Sequence, residues 1–205
     1  MWSELVVSLG RPAALAAGCT VALHACLAAG NILYALRGSK DAPPPPVPPS
    51  PDARVASAAS GGVTTLGQRA RALVLNMYTE CRVSAADLSP AVVFEDPVMQ
   101  LSGPAAVVEV FRALRALHPS TRALRVRPAT AAGPVVELDL WMQYTVGSSH
   151  VRLYSLITVE FDDQGRVARL RDCWNARPLA SLPPLVWARR LNGSLSNALT
   201  PRLLS

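Results

Sequence analysis

Residues 135–146 read VVELDLWMQYTV, and apolar and polar positions alternate along the whole stretch. Val136, Leu138, Leu140, Met142, Tyr144 and Val146 share one face, and Glu137, Asp139, Trp141 and Gln143 share the other. That period of two predicts a half-buried strand. "VRLYSLITVEF" after the turn "GSSH", and "RVARLRDCWN" after the turn "DDQG", extend it into a meander. "TRALRVRP" sets Leu124 and Val126 against Arg125 and Arg127 and predicts one strand more. Upstream the period changes. "TTLGQRARALVLNMYTE" places Leu66, Ala70, Leu73, Val74, Met77 and Tyr78 on one helical face. "PAAVVEVFRALRALH" does the same with Val107, Val108, Phe111, Leu114 and Leu117. Pro104 sits in its first turn, Ser102 reads as its cap, and Pro119 ends it. Helices first and a run of antiparallel strands after them argue an α+β class, with helices covering one sheet face.

One stretch fits neither period. "AALAAGCTVALHACLAAGNILYAL", residues 13–36, carries no formal charge. Roughly twenty apolar residues suffice to span a bilayer as a helix, so this stretch predicts a single-pass anchor within residues 1–40. His24 reads as a tolerated passenger in it. A cleaved signal peptide needs a basic start and a short apolar run. Here the start holds Glu4 and no base before Arg11, and the run is long. Arg37 and Lys40 after the span outweigh Arg11 before it, which leans the bulk of the chain to the cytosol. Residues 41–63, rich in Pro, Ala, Ser and Gly, form a linker, stiff where the prolines run and flexible beyond them. A globular domain over 64–178 and an amphipathic tail over 179–205 complete the division.

The 205 residues are half apolar, enough for a core, and carry a net charge of +6. The arginines are scattered, with no run of the kind that marks a nucleic-acid tail, so no nucleic-acid partner is expected. Of the four cysteines, Cys19 and Cys26 lie inside the apolar stretch, and Cys81 and Cys173 show no CxxC spacing and no nearby histidine, so no metal site is expected. Cys81 and Cys173 read as reduced buried thiols, with a disulfide between them as the alternative. No Ser/His/Asp or Cys/His order and no phosphate loop is visible, and no cofactor is expected. His118 reads as a helix-end residue and His150 as a solvated turn residue.

"SPAVVFEDPVMQLSG" leads into the second helix, and the meander closes on "RDCWN". This order resembles the SnoaL-like branch of the nuclear-transport-factor-2-like superfamily. The carrying residues are Phe94, Asp96, Pro97 and Gly103, the turn "DDQGRV", and Asp172 followed by Trp174. The resemblance covers residues 64–178 and implies a cone of helices on a strongly curved antiparallel sheet, enclosing an apolar pocket. That superfamily holds isomerases, dehydratases and polyketide cyclases beside members without known activity, so fold does not deliver function.

Within such a cone the candidate pocket residues are Asp96, Leu140, Met142, Tyr144, Leu170 and Trp174. Asp172 is the candidate catalytic acid or base. It shares a strand face with Ala168, Leu170 and Trp174, whereas Arg169, Arg171 and Cys173 take the other. Burial raises a carboxyl pKa and suits it to proton transfer. The alternative is a core tether bonded to a Tyr, Trp or Arg. Asp96, before a proline, reads as a loop-fixing carboxylate at the pocket rim. Glu95 points the other way and reads as solvated. Tyr144 is a ligand donor or a packed aromatic.

In the tail, Leu191, Leu195 and Leu199 make a stripe that lies on a membrane interface or docks on the domain. Asn192 to Ser194 matches a glycosylation sequon. Three readings follow: a membrane-tethered domain binding a small apolar molecule without catalysis, an isomerase- or dehydratase-type enzyme using Asp172, and a homodimer or partner-recruiting module using the sheet face of Trp141. Convergent polar groups in the pocket favour the second reading, and one lone carboxylate favours the first.

Overall fold

The computed structural model describes residues 65–127, 134–146 and 148–203. The expected anchor, His24 and the proline linker lie outside the described residues. Among those described, no helix is long and apolar enough to cross a membrane.

Helix α1 spans Thr65–Tyr78 and buries Gly67, Ala70, Leu73, Val74, Met77 and Tyr78 along one face. A single 3-10 turn, Ala85–Asp87, then leads into β1, Leu88–Glu95, and β2, Gln100–Ser102. Helix α2, Pro104–Leu114, buries Ala106, Val107 and Phe111. Strands β3 (Ser120–Val126), β4 (Val135–Val146), β5 (Ser149–Phe161) and β6 (Val167–Trp174) form the expected meander. Helix α3, Pro183–Leu203, closes the described chain.

The six strands form one sheet in the order β2-β1-β6-β5-β4-β3. The expectation of an antiparallel sheet is corrected at one place: β1 runs parallel to β6, with Phe94 opposite Leu170 and Glu95 opposite Arg171. The sheet is therefore mixed. Irregular register at three pairings, β1–β6, β3–β4 and β5–β6, adds the local bends by which a sheet coils.

Alternation along the strands sorts the two faces as the sequence predicts. Val136, Leu138, Leu140, Met142, Ile157, Val159 and Leu170 join Val92, Phe94, Val107, Phe111 and the buried face of α1 in one core. Burial of Leu- or Ile-sized side chains contributes about 1.5–3 kcal/mol each before entropy is counted. Trp141 and Asp139 lie on the other face, as expected. Trp141 is nevertheless buried within its own chain, 5.3 Å from the Tyr154 ring and packed with Ala123. Asp139 is fully buried beside Arg125, Arg127 and Tyr154. Long arginine stems cover this face while their heads meet its carboxylates.

Two local expectations are corrected. The N-cap of α2 is Gly103, at φ +89° and without a side-chain cap bond, whereas Ser102 belongs to β2. Glycine is favoured there because the strand must turn into the helix through a left-handed backbone. Glu95 is not solvated. It accepts from Gln100 Nε2 at 3.0 Å and pairs with Arg171 Nε at 3.5 Å. The parallel β1–β6 register brings that arginine level with it.

Candidate functional site

Asp172 lies opposite Ile157 on the sheet face that meets helix α1 and is 4 % exposed. Its Oδ2 accepts from the Tyr78 hydroxyl at 2.8 Å. Helix α1 positions that phenol by packing it edge-on to Phe111, which meets Phe94 in the same way, at centroid distances of 5.1 and 5.3 Å. Burial raises the Asp172 carboxyl to about 6, and donors from Ser155, Tyr78 and Trp174 restrain the rise. Its Oδ1 is buried with no well-formed hydrogen bond.

Asp96 follows β1 directly, and the register that pairs Glu95 with Arg171 brings Asp96 level with Asp172 on the neighbouring strand. Adjacent strands lie about 4.8 Å apart. Asp96 Oδ1 accepts the backbone N–H of Val98 at 2.7 Å and of Met99 at 2.6 Å, and the Asp96 N–H donates to the Met99 carbonyl at 2.9 Å. This is the loop-fixing geometry expected of a carboxylate before Pro97. The residue is also 9 % exposed, and burial first, the Asp172 charge second, push its carboxyl up to about 7. The two N–H donors and Arg189 work against that rise.

Tyr144, half-buried on β4, completes the polar set. Burial, and then the charges of Asp172 and Asp96, raise its hydroxyl well above the ordinary phenol value, so it stays protonated. Tyr78 is raised for the same reasons. Both phenols are therefore donors at neutral pH. Leu140, Met142 and Leu170, expected to line the pocket, are buried in the core cluster. Trp174 is half-buried opposite Ser155 at the end of β6. The turn after it runs through left-handed Asn175 and Ala176, and the Asn175 N–H donates to the Tyr154 carbonyl at 2.8 Å.

The structure thus brings together Asp96, Asp172, Tyr144 and Trp174 and adds Tyr78 and Ser155. The sequence marks Tyr78 as one of the apolar residues of a helix face. Its hydroxyl at the end of a buried stripe was the available signal, since a buried Tyr hydroxyl needs a partner. His118 and His150 are exposed. Cys81 and Cys173 are free buried thiols, and Cys173, which burial raises to about 11, takes the sheet's other face. No group of His, Cys, Asp and Glu fit to hold a metal ion occurs among the described residues.

The tail also enters the site's surroundings. Arg189 of α3 is buried, and its Nη1 donates to the Asp96 carbonyl at 3.4 Å. A cleft of about 370 Å³ between β2 and α3 is lined by Gln100, Leu101, Ser102, Arg190, Gly193 and Ser194. Neither Asp96 nor Asp172 lines it.

No family model matches the chain, and no curated protein matches it. Solved structures are similar. An LEH-like epoxide hydrolase of M. tuberculosis is 19% identical over 69% of this chain and 98% of its own, at a TM-score of 0.44. An NTF2-like protein of Anabaena variabilis is 10% identical, over 56% and 90%, at 0.47. The epoxide hydrolase/cyclase-like enzyme SalBIII, of pyran ring formation in salinomycin, is 18% identical, over 54% and 94%, at 0.42. The described residues of the chain form an α+β fold, a six-stranded mixed sheet with three α-helices.

Proposed function

We propose that this SnoaL-like domain is an acid–base site for a small, largely apolar molecule, with Asp172 and Asp96 as the proton-exchanging pair. One observation carries the reading: two buried carboxyls, Asp172 on β6 and Asp96 just past the end of the neighbouring β1, raised to about 6 and about 7, stand near two phenols that stay protonated and can donate. Near neutral pH Asp172 is mostly ionised and serves as the base, while Asp96 keeps a large protonated fraction and serves as the acid. The two are coupled. When Asp172 takes a proton its charge disappears, and with it part of what holds the proton on Asp96. Proton capture at one carboxyl thus promotes release at the other, which suits an isomerisation or an acid-assisted elimination. Tyr144 donates to the oxygen on which negative charge develops.

A second reading rests on the Tyr78–Asp172 bond at 2.8 Å, which also describes a core tether in a binding domain without catalysis. Deuterium wash-in separates the two. Small apolar ketones and aldehydes are incubated in D2O with the protein and with Asp172→Asn. Protein-dependent label at an acidic carbon, lost in the variant, supports the acid–base site. Bound compounds that take up no label above the buffer rate leave only binding.

Tethering through residues 13–36, with the domain on the cytosolic side, is part of the proposal. Its support is the uncharged length of that segment and the basic residues that follow it.

A further inference from the structure

Helix α3 lies beyond the part of the chain that resembles the SnoaL-like pattern, yet it grips the segment that carries Asp96. Arg189 Nη1 donates to the Asp96 carbonyl at 3.4 Å, and Nη2 donates to the Ala180 carbonyl at 3.3 Å. Asn192 Nδ2 donates to the Val98 carbonyl at 3.0 Å, and Arg190 Nε to Gln100 Oε1 at 2.9 Å. A Cβ on Gly193 would fall 2.1 Å from the Gln100 carbonyl oxygen, so the helix and β2 touch backbone to backbone. Positions 96, 98 and 100 are each held from the same helix.

Arg189 is 5 % exposed, and its Nε has no acceptor. A guanidinium so buried and bonded only to neutral carbonyls needs a nearby negative charge to offset its desolvation. The carboxylates within its electrostatic reach are Glu95 and Asp96. Glu95 already meets Arg171 and Gln100. The carboxylate of Asp96 has only two backbone N–H groups.

We infer that α3 is part of the site and that Arg189 is a positioning residue. It fixes the Asp96 turn through the main-chain carbonyl and favours the ionised Asp96 carboxylate against the neighbouring Asp172. The inference rests on the reading of Asp96 as one of the proton-exchanging pair. The groups that act on Asp96 are Asp172 from β6, Tyr144 from β4, Tyr78 from α1 and Arg189 from α3, and Glu95 at the end of β1 acts on the same arginine. Arg189 supplies the positive charge in that set.

The test is a ¹³C carboxyl titration of the full-length chain, with Asp96 assigned by Asp96→Asn. Arg189→Gln is expected to move the Asp96 midpoint upward and leave the Asp172 midpoint in place, and Arg189→Lys is expected to keep the wild-type value. An Asp96 midpoint that stays in Arg189→Gln, or that moves together with Asp172, overturns the inference. If Arg189→Gln does not fold, Gly193→Ala reads the same grip by amide hydrogen exchange. Faster exchange at Val98 and Met99, with the β4–β5 amides unchanged, supports it, and unchanged exchange at those two amides overturns it. Neither readout needs a substrate. A midpoint that follows Arg189 while wash-in fails keeps the helix inference and removes the acid–base reading, and the reverse pair of results does the opposite.

Discussion

Replacing Asp172 with asparagine should stabilise the protein at neutral pH, and increasingly so as pH rises from 4 to 7. The amide keeps an oxygen for the Tyr78 hydroxyl, which now donates to Oδ2 at 2.8 Å. What it removes is a buried charge. Burial carries the Asp172 carboxyl from 3.8 to about 6 in the fold. At about 1.4 kcal/mol per pKa unit, the folded state holds that proton more tightly than the unfolded chain by ~3 kcal/mol. The sign follows from proton counting. Between the unfolded value of 3.8 and the folded value of about 6, the native state binds more protons than the unfolded state. Its stability is therefore complete below the lower value and is lost as pH rises through the upper one. Asparagine does not titrate, so the variant escapes the loss. Misplacing the amide N–H2 offsets part of the gain, by about 1 kcal/mol at every pH. Urea unfolding at pH 4, 5, 6 and 7.5 measures the difference. The variant's midpoint should gain on the wild type across that series by on the order of 1–2 M urea, given slopes of about 1–3 kcal/mol/M. A variant that is 1–3 kcal/mol less stable at every pH, with a gap that does not change, would refute the reasoning. Asp172 would then be an ionised tether that the fold relies on.

Asp96→Asn should show the same trend with its window extended to about pH 7, and a double variant should gain less than the two single gains combined, because part of the Asp96 shift comes from the Asp172 charge. Tyr78→Phe should cost about 1–2 kcal/mol in thermal unfolding and raise the Asp172 midpoint further, since its hydroxyl holds that value down. Leu140→Ala, in a fully buried position of the core, should cost about 2–5 kcal/mol in chemical unfolding. Removing residues 1–40 should release a folded protein into the soluble fraction, and continued sedimentation with membranes would move the attachment elsewhere in the chain. Sedimentation equilibrium of the released protein tests the homodimer expected from the outer sheet face, and a monomer at micromolar concentration removes it.

Most of the scaffold was legible because its strands obey one period. From Val136 to Val146 the residues alternate with Trp141 as the exception, and the strand is found at Val135–Val146. The same alternation put Asp172 and Trp174 on the apolar face and Arg171 on the other. The parallel pairing of β1 with β6 was not legible. "LSPAVVFE" carries no period of two, and its partner lies some 75 residues away with no local mark of the pairing. Without that pairing Asp96 could be read as a loop carboxylate but not as the neighbour of Asp172. Reading Glu95 as solvated failed for the same reason, because its partner Arg171 is supplied by the neighbouring strand. The docking of α3 was one of two alternatives for the tail. Its contacts run from Arg189 and Asn192 to backbone carbonyls, which every residue type carries and no pattern advertises. Gly193 was the mark it left, a glycine inside a helix where only the missing side chain lets two backbones meet.

The most direct test of the central claim is a ¹³C titration of the aspartate carboxyls in the wild-type protein. Two buried carboxyls that trade a proton near neutrality should release their last protons at about pH 6 for Asp172 and about pH 7 for Asp96, and Asp172→Asn should lower the Asp96 midpoint. Both groups fully ionised at pH 5, or an Asp96 midpoint that ignores the loss of the Asp172 charge, would contradict it.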